Sequence, residues 1–271
     1  MLLYFWMMVQ IICESLPISS SGHVVLLQSI FMKLYGRQEI VAMSQDLWAF
    51  DYVLQGVSAI IFLIYFFPYW WQLIVGKPIQ ISSLLDQKLW IKTVPSVFLF
   101  GFVADGMTFL LWHFNIVDRI AMPLAFGFLI TAIVLWNIQY MCPKKDLNMW
   151  SWQNGMIVGL MQGCALLPGI SRFGMTMATL QWLGYQGRLA FCISFLLQWP
   201  LIVAGSIKGL CALQNGSILE TMWSVPFFMV MLIAGSIGYA LLYGVGKIID
   251  KNMLWKFSYY MIIPIIVALL I

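Results

Sequence analysis

The chain has 271 residues, 62% of them hydrophobic and only 9% charged, with a formal net charge of +4. A mean hydropathy of +0.92 excludes a water-soluble fold, because soluble domains carry about 25% charged residues. Apolar runs near the ~20 residues that cross a bilayer recur along the whole length. No hydrophilic stretch is long enough for a separate domain, so residues 1–271 read as a single integral membrane domain.

From the N-terminus, residues 1–35 hold two apolar stretches, each too short to span alone, joined by Glu14-Ser15-Leu16-Pro17-Ile18-Ser19-Ser20-Ser21-Gly22-His23. Broken backbone at membrane depth is tolerated only when buried in protein or lining a cavity, so a re-entrant hairpin is expected. A cleavable leader is not expected: the stretch has no leading Lys or Arg, and Glu14 interrupts it. Residues 47–67, 89–111 and 120–141 read as spans, divided by Pro68 through Lys88 and by His113 through Arg119. After Pro143 through Asn154, residues 153–185 repeat the broken pattern around Leu167-Pro168-Gly169-Ile170-Ser171-Arg172-Phe173-Gly174. Spans at 188–210, 223–246 and 253–271 follow, with breaks at Gln214 through Glu220 and Lys247 through Asn252.

The predicted fold is therefore an all-α polytopic membrane protein, with six transmembrane helices plus two re-entrant helix-loop-helix hairpins. The halves 1–142 and 143–271 share one plan, a hairpin followed by three spans, and three spans insert the second half upside down. Such inverted repeats build their sites near the midplane from paired broken helices. One face of this topology holds Lys77, Lys88, Lys92, Lys144, Lys145, Arg188, Lys247, Lys251 and Lys256; the other holds Lys33, Arg37, Arg119 and Lys208. The richer face is expected to be cytoplasmic, which places both termini and the mouth of the first hairpin outside. The five cysteines are scattered without CxxC spacing and read as apolar fillers.

Ionisable groups at membrane depth mark functional sites. Gln10 and Glu14 are four apart and share a helical face. Two oxygen-bearing side chains at that spacing suit a hard divalent cation whose shell is completed by substrate and water. Ser19, Ser20 and Ser21 precede a helix, where exposed N–H groups attract anions. One serine is accounted for as an N-cap, but three beside His23 are not. A serine nucleophile needs a base, and either His23 or Glu14 is at hand; attack by His23 itself is the competing route. Ser20 is favoured, at the expected loop tip with Ser171 at the matching place in the second hairpin, and His23, already on the following helix, is the better placed of the two bases. Arg172, always charged and bidentate, is the natural clamp for phosphate. Asp51, one turn before Gln55, is expected to pair with Arg172 or to line the cavity. No GxxxxGK[ST], HExxH or GxSxG occurs, so nucleotide-driven chemistry and zinc proteolysis have no support.

At these residues the chain resembles the undecaprenyl-pyrophosphate phosphatase family, the bacitracin-resistance membrane phosphatases. The family's first signature, two acids four apart and then Pro-x-Ser-Ser-[Ser/Thr]-Gly-His, is matched by Gln10, Glu14 and Pro17-Ile18-Ser19-Ser20-Ser21-Gly22-His23. The second, Pro-Gly-x-Ser-Arg-Ser-Gly-x-Thr, is matched by Pro168-Gly169-Ile170-Ser171-Arg172-Phe173-Gly174-Met175-Thr176. Phe50-Asp51 with Gln55, and Ser194-Phe195-Leu196-Leu197 with Pro200, extend the resemblance over the whole chain. Two departures stand out: Gln10 replaces the first acid, and Phe173 replaces a serine beside the arginine, which removes a hydroxyl expected near the phosphate.

The resemblance implies hydrolysis of undecaprenyl pyrophosphate to the monophosphate and inorganic phosphate on the outer side of the bacterial inner membrane. This recycles the carrier lipid for peptidoglycan and is associated with bacitracin resistance. Glu14, Ser20, His23 and Arg172 are the expected catalytic residues. Ser19, Ser21, Gly22, Gly169, Ser171, Gly174, Thr176 and Asp51 are the expected substrate-binding residues, with Glu14 and Gln10 holding Mg²⁺ or Ca²⁺. Expected partners are the polyprenyl pyrophosphate, the lipid bilayer and, as one oligomeric option, a second copy in a homodimer; nucleic acid is not among them. The rival reading is a non-catalytic polyprenyl-phosphate binder or transporter derived from the same fold.

Overall fold

A computed structural model describes residues 2–75, 123–141, 151–165, 167–213 and 222–271, with Leu99 and Gly106. The predicted span at 89–111, and the basic residues Lys77, Lys88, Lys92, Arg119, Lys144 and Lys145, lie outside the described residues. Among those described, the regular structure is helical: α1 (Leu2–Glu14), α2 (Ser20–Tyr35), α3 (Arg37–Val75), α4 (Leu124–Asn137), α5 (Trp152–Cys164), α6 (Arg172–Trp182), α7 (Gly187–Ala212), α8 (Val225–Asp250), α9 (Phe257–Tyr260) and α10 (Ile262–Leu270). Short 3₁₀ turns extend α4 over Ile138–Tyr140 and precede α9 at Leu254–Lys256. Segments Leu47–Trp71, Gly187–Ala212 and Val225–Asp250 are long and apolar enough to cross a bilayer.

Pro68 was expected in a break, yet α3 runs through it. The proline cannot donate to the Ile64 carbonyl, but the helix is held by packing. Phe66 stacks on Trp70 at 5.5 Å across the proline and meets Phe195 at 4.9 Å, while Phe62 meets Phe195 edge-on at 4.6 Å. These contacts lock α3 against α7. Over the expected span at 253–271 a 3₁₀ turn leads into α9 and α10, and helical bonding continues through Met261, whose N–H reaches the Phe257 carbonyl and whose carbonyl accepts the Ile265 N–H, each at 3.2 Å. Pro264 offers no N–H to the Tyr260 carbonyl, which leaves one helical bond missing between α9 and α10.

Contacts between distant segments define two ends of the bundle. At one end Lys33 Nζ donates to the Leu270 carbonyl at 3.2 Å, and Lys208 sits 5.7 Å over the Tyr52 ring. At the other, Arg188 at the start of α7 pairs with Asp250 at the end of α8. Between the ends, the loop from α1 to α2 and the loop from α5 to α6 meet beside α4.

Candidate active site

The first loop is built by its caps. Helix α1 closes at Glu14 with tight turns, Ser15 N–H to the Ile12 carbonyl at 3.2 Å and Leu16 N–H to the Cys13 carbonyl at 3.1 Å. Ser19 caps α2 with φ at 67°, in the left-handed region that a β-carbon disfavours. Non-glycine residues held there cluster at functional sites. This conformation aims the Ser19 carbonyl back along α2, where it accepts the His23 backbone N–H at 3.2 Å and the His23 Nδ1 hydrogen at 2.8 Å. The Ser19 Oγ accepts the Gly22 N–H at 3.2 Å.

Ser20, the first residue of α2, donates its hydroxyl to Glu14 Oε2 at 2.7 Å. Gln10 Nε2 donates to the same oxygen at 3.2 Å, as the spacing of four predicts. Of the two bases considered for Ser20, the structure therefore brings Glu14 to the hydroxyl. The other, His23, is engaged elsewhere: its Nε2 lies 3.0 Å from the Tyr260 hydroxyl.

The second loop is capped in the same way. The Ser171 Oγ accepts the Gly174 N–H at 3.1 Å, so Ser171 matches Ser19, and Arg172 stands where Ser20 does. The expected match of Ser171 with Ser20 is off by one residue, because the serine that caps a helix spends its oxygen on its own backbone. Thr131 on α4 fixes this loop: its hydroxyl donates to the Gly169 carbonyl at 2.8 Å and accepts the Ser171 N–H at 3.0 Å.

The two loops touch through glycine. A β-carbon on Gly22 would lie 2.7 Å from Gly169 Cα, and one on Gly127 would lie 2.1 Å from the Pro168 carbonyl oxygen. Gly169 itself has φ at 88°, which only glycine adopts freely. This approach sets two helix N-termini at one place, and the first-turn amides there have no intrahelical acceptor. The Arg172 Nε is buried with no hydrogen-bond partner among the described residues.

Three expected roles change with the geometry. Asp51 does not pair with Arg172; it accepts the indole hydrogen of Trp6. Thr176 is fully buried and turns its hydroxyl to the Arg172 carbonyl at 2.9 Å, within its own helix. Phe173 points away from the loop into the aromatic cluster, 4.7 Å from Phe195 and 5.6 Å from Phe191. The serine-to-phenylalanine departure therefore adds to the apolar core beside α7. Ser21 is exposed at the first loop, 3.5 Å from Ser19.

For a divalent cation, the described residues hold no group of three or more His, Cys, Asp or Glu. Gln10 Oε1 is nevertheless buried without a hydrogen-bond partner, one turn from the Glu14 carboxylate. Two oxygens of this kind fit a hard cation whose other ligands come from substrate and water. Beside the site, an apolar cavity of about 360 Å³ between α1 and α2 is lined by Phe5, Val9, Leu26 and Ile30, together with His23 and Tyr260.

Sequence reasoning missed Trp6, Gly127, Thr131 and Tyr260. Gly127 and Thr131 are four apart and share a face of α4, a small-and-hydroxyl pattern that signals close helix contact. Trp6 and Tyr260 carry no such local signal.

The chain matches the family described as "Bacitracin resistance protein BacA" over residues 4–267. It is 29% identical over 267 residues to "Undecaprenyl-diphosphatase 1" of Bacillus cereus, covering 95% of this chain and 92% of that protein. It is 26% identical over 272 residues to "Undecaprenyl-diphosphatase" of Thermotoga petrophila, covering 97% of each. A third relative, "Undecaprenyl-diphosphatase" of Desulfatibacillum aliphaticivorans, is 30% identical over 277 residues, with 93% and 91% covered. With its broken helices, its membrane-length spans and a match over nearly its full length, the chain belongs to the BacA family of bacitracin resistance proteins.

Proposed function

We propose that the protein is a membrane phosphatase that hydrolyses undecaprenyl pyrophosphate to undecaprenyl phosphate and inorganic phosphate. The reading rests on one observation above all: the Ser20 hydroxyl donates to Glu14 at the start of a helix, where the first loop packs against the loop that carries Arg172. Phosphoryl transfer asks for positioning and charge neutralisation, and two helix N-termini with a guanidinium supply both. The apolar cavity that His23 helps to line suits a polyprenyl chain.

In the first step Ser20 Oγ attacks the terminal phosphorus and Glu14 takes its proton. The bond from that phosphorus to the bridging oxygen breaks, and undecaprenyl phosphate leaves. Water, oriented by His23 Nε2, then attacks the phosphoserine; the proton on Glu14 returns to Ser20, and inorganic phosphate leaves with both water hydrogens. Arg172 holds the phosphoryl oxygens throughout. Ser19, Ser21, Gly22, Gly169, Ser171 and Gly174 shape the two loops around the phosphate, and Asp51, tied to Trp6, lines its edge. When bound by Glu14 and Gln10, Mg²⁺ or Ca²⁺ supplies further neutralisation of phosphate charge.

The same reading makes the chain one domain of two inverted halves, with six spans and two re-entrant hairpins. The matched caps Ser19 and Ser171, each with a glycine three residues on, support that repeat. The site then opens to the periplasmic side of the inner membrane, where the released carrier lipid is recycled for peptidoglycan and bacitracin resistance follows. Phosphate release from undecaprenyl pyrophosphate by the purified protein, with and without chelator, is the test. Lipid binding without phosphate release would favour the non-catalytic binder.

A further inference from the structure

His23 is held on three sides. The Ser19 carbonyl, 2.8 Å from Nδ1, can only accept, so Nδ1 carries a hydrogen. In the neutral ring this leaves Nε2 as a bare acceptor, and the Tyr260 hydroxyl, 3.0 Å away, is its donor. The Tyr260 ring lies nearly parallel to the imidazole, with 16° between planes and centroids 5.8 Å apart, while Phe128 meets it edge-on at 5.2 Å. Tyr260 ends α9, so the C-terminal segment delivers this hydroxyl to α2 from 237 residues away in sequence. The pair lines the apolar cavity beside the first loop.

A phenol is suited to this place for a chemical reason. Its oxygen donates to a neutral Nε2 and accepts from a protonated one, so it keeps the ring aimed through a change of protonation. A phenylalanine would keep the stacking and lose that hold. We propose that Tyr260 is a positioning residue of the phosphatase reaction, which covers His23 Nε2 at rest and fixes it as the nitrogen through which His23 works. The proposal rests on the assignment of His23 to the phosphate site.

The test is carbethoxylation of His23 by diethylpyrocarbonate, followed by mass spectrometry of the peptide in the purified full chain. It needs no turnover, so its outcome is independent of whether the protein is a phosphatase. Tyr260→Phe should raise the labelling rate at His23 about fivefold, the factor that one neutral hydrogen bond carries. In the same preparation kcat for phosphate release should fall about tenfold while KM stays within about twofold, as expected for lost orientation. Tyr260→Leu, which removes the stack as well, should label faster still. An unchanged labelling rate in Tyr260→Phe would show that the hydroxyl does not hold Nε2. Faster labelling with normal kcat would show that the hold has no part in the reaction. Either result overturns the proposal while leaving the phosphatase reading intact.

Discussion

The Ser20 hydroxyl points at the Glu14 carboxylate across 2.7 Å, joining the first residue of α2 to the last residue of α1. The intervening turn brings them together from six positions apart. A carboxylate that already accepts the serine hydrogen is placed to keep it when the oxygen attacks. His23, one turn further along α2, is bound instead to Ser19 and Tyr260. The two groups expected to act on each other therefore have separate partners, which is why the account gives them separate steps.

Arg172 begins α6 with its Nε buried and without a partner among the described residues. Arg172→Lys keeps the charge but loses the planar fork, so phosphate release should fall about tenfold or more, with protein yield and melting temperature unchanged. Near-normal release would reduce Arg172 to a diffuse positive charge.

Gln10 now donates to Glu14 through its amide nitrogen. Gln10→Glu replaces that hydrogen bond with a second carboxylate. Without an ion the two charges repel; with one they share it. Activity should therefore drop further in chelator than it does for the parent, and saturate at lower Mg²⁺ concentration. An unchanged titration would mean that position 10 does not touch the ion.

Phe173 is 2% exposed, and its ring packs against Phe191 and Phe195. Phe173→Ser restores the family's residue but leaves a hole in this cluster, a change that costs on the order of 3 kcal/mol. Thermal denaturation in detergent should show the loss, and phosphate release per folded molecule should not rise. A gain in turnover without destabilisation would place the hydroxyl at the phosphate after all.

What was legible in the sequence were features with local causes. Glu14, three serines and a proline within an apolar segment announce a broken helix, and the same holds for Pro168-Gly169. The Gln10–Glu14 bond follows from helical spacing alone. The Ser171–Ser20 match failed by one residue because capping depends on backbone geometry that composition does not reveal. The direction of Phe173 depends on α7, which follows it in the chain but packs back along it. Trp6 and Tyr260 acquire roles only from partners 45 and 237 positions away.

Orientation in the membrane is testable at the two ends of the bundle. With native cysteines replaced, an impermeant thiol reagent added to intact cells should label Tyr35→Cys and spare Lys251→Cys. Both positions are exposed, and the excess of Lys and Arg assigns them to opposite faces. Strong labelling of Lys251→Cys would invert the topology.

In the proposed reaction Ser20, with Glu14 as its base, attacks phosphorus. This step is tested most directly by quenching the enzyme rapidly during turnover of labelled undecaprenyl pyrophosphate and identifying the trapped phosphate. The trapped species should be acid-stable, base-labile phosphoserine at Ser20, absent in Ser20→Ala and sharply reduced in Glu14→Gln. Rate alone cannot decide, since losing one transition-state hydrogen bond already costs on the order of a hundredfold to a thousandfold. Acid-labile phosphohistidine at His23, or turnover with no covalent phosphate at all, would contradict it.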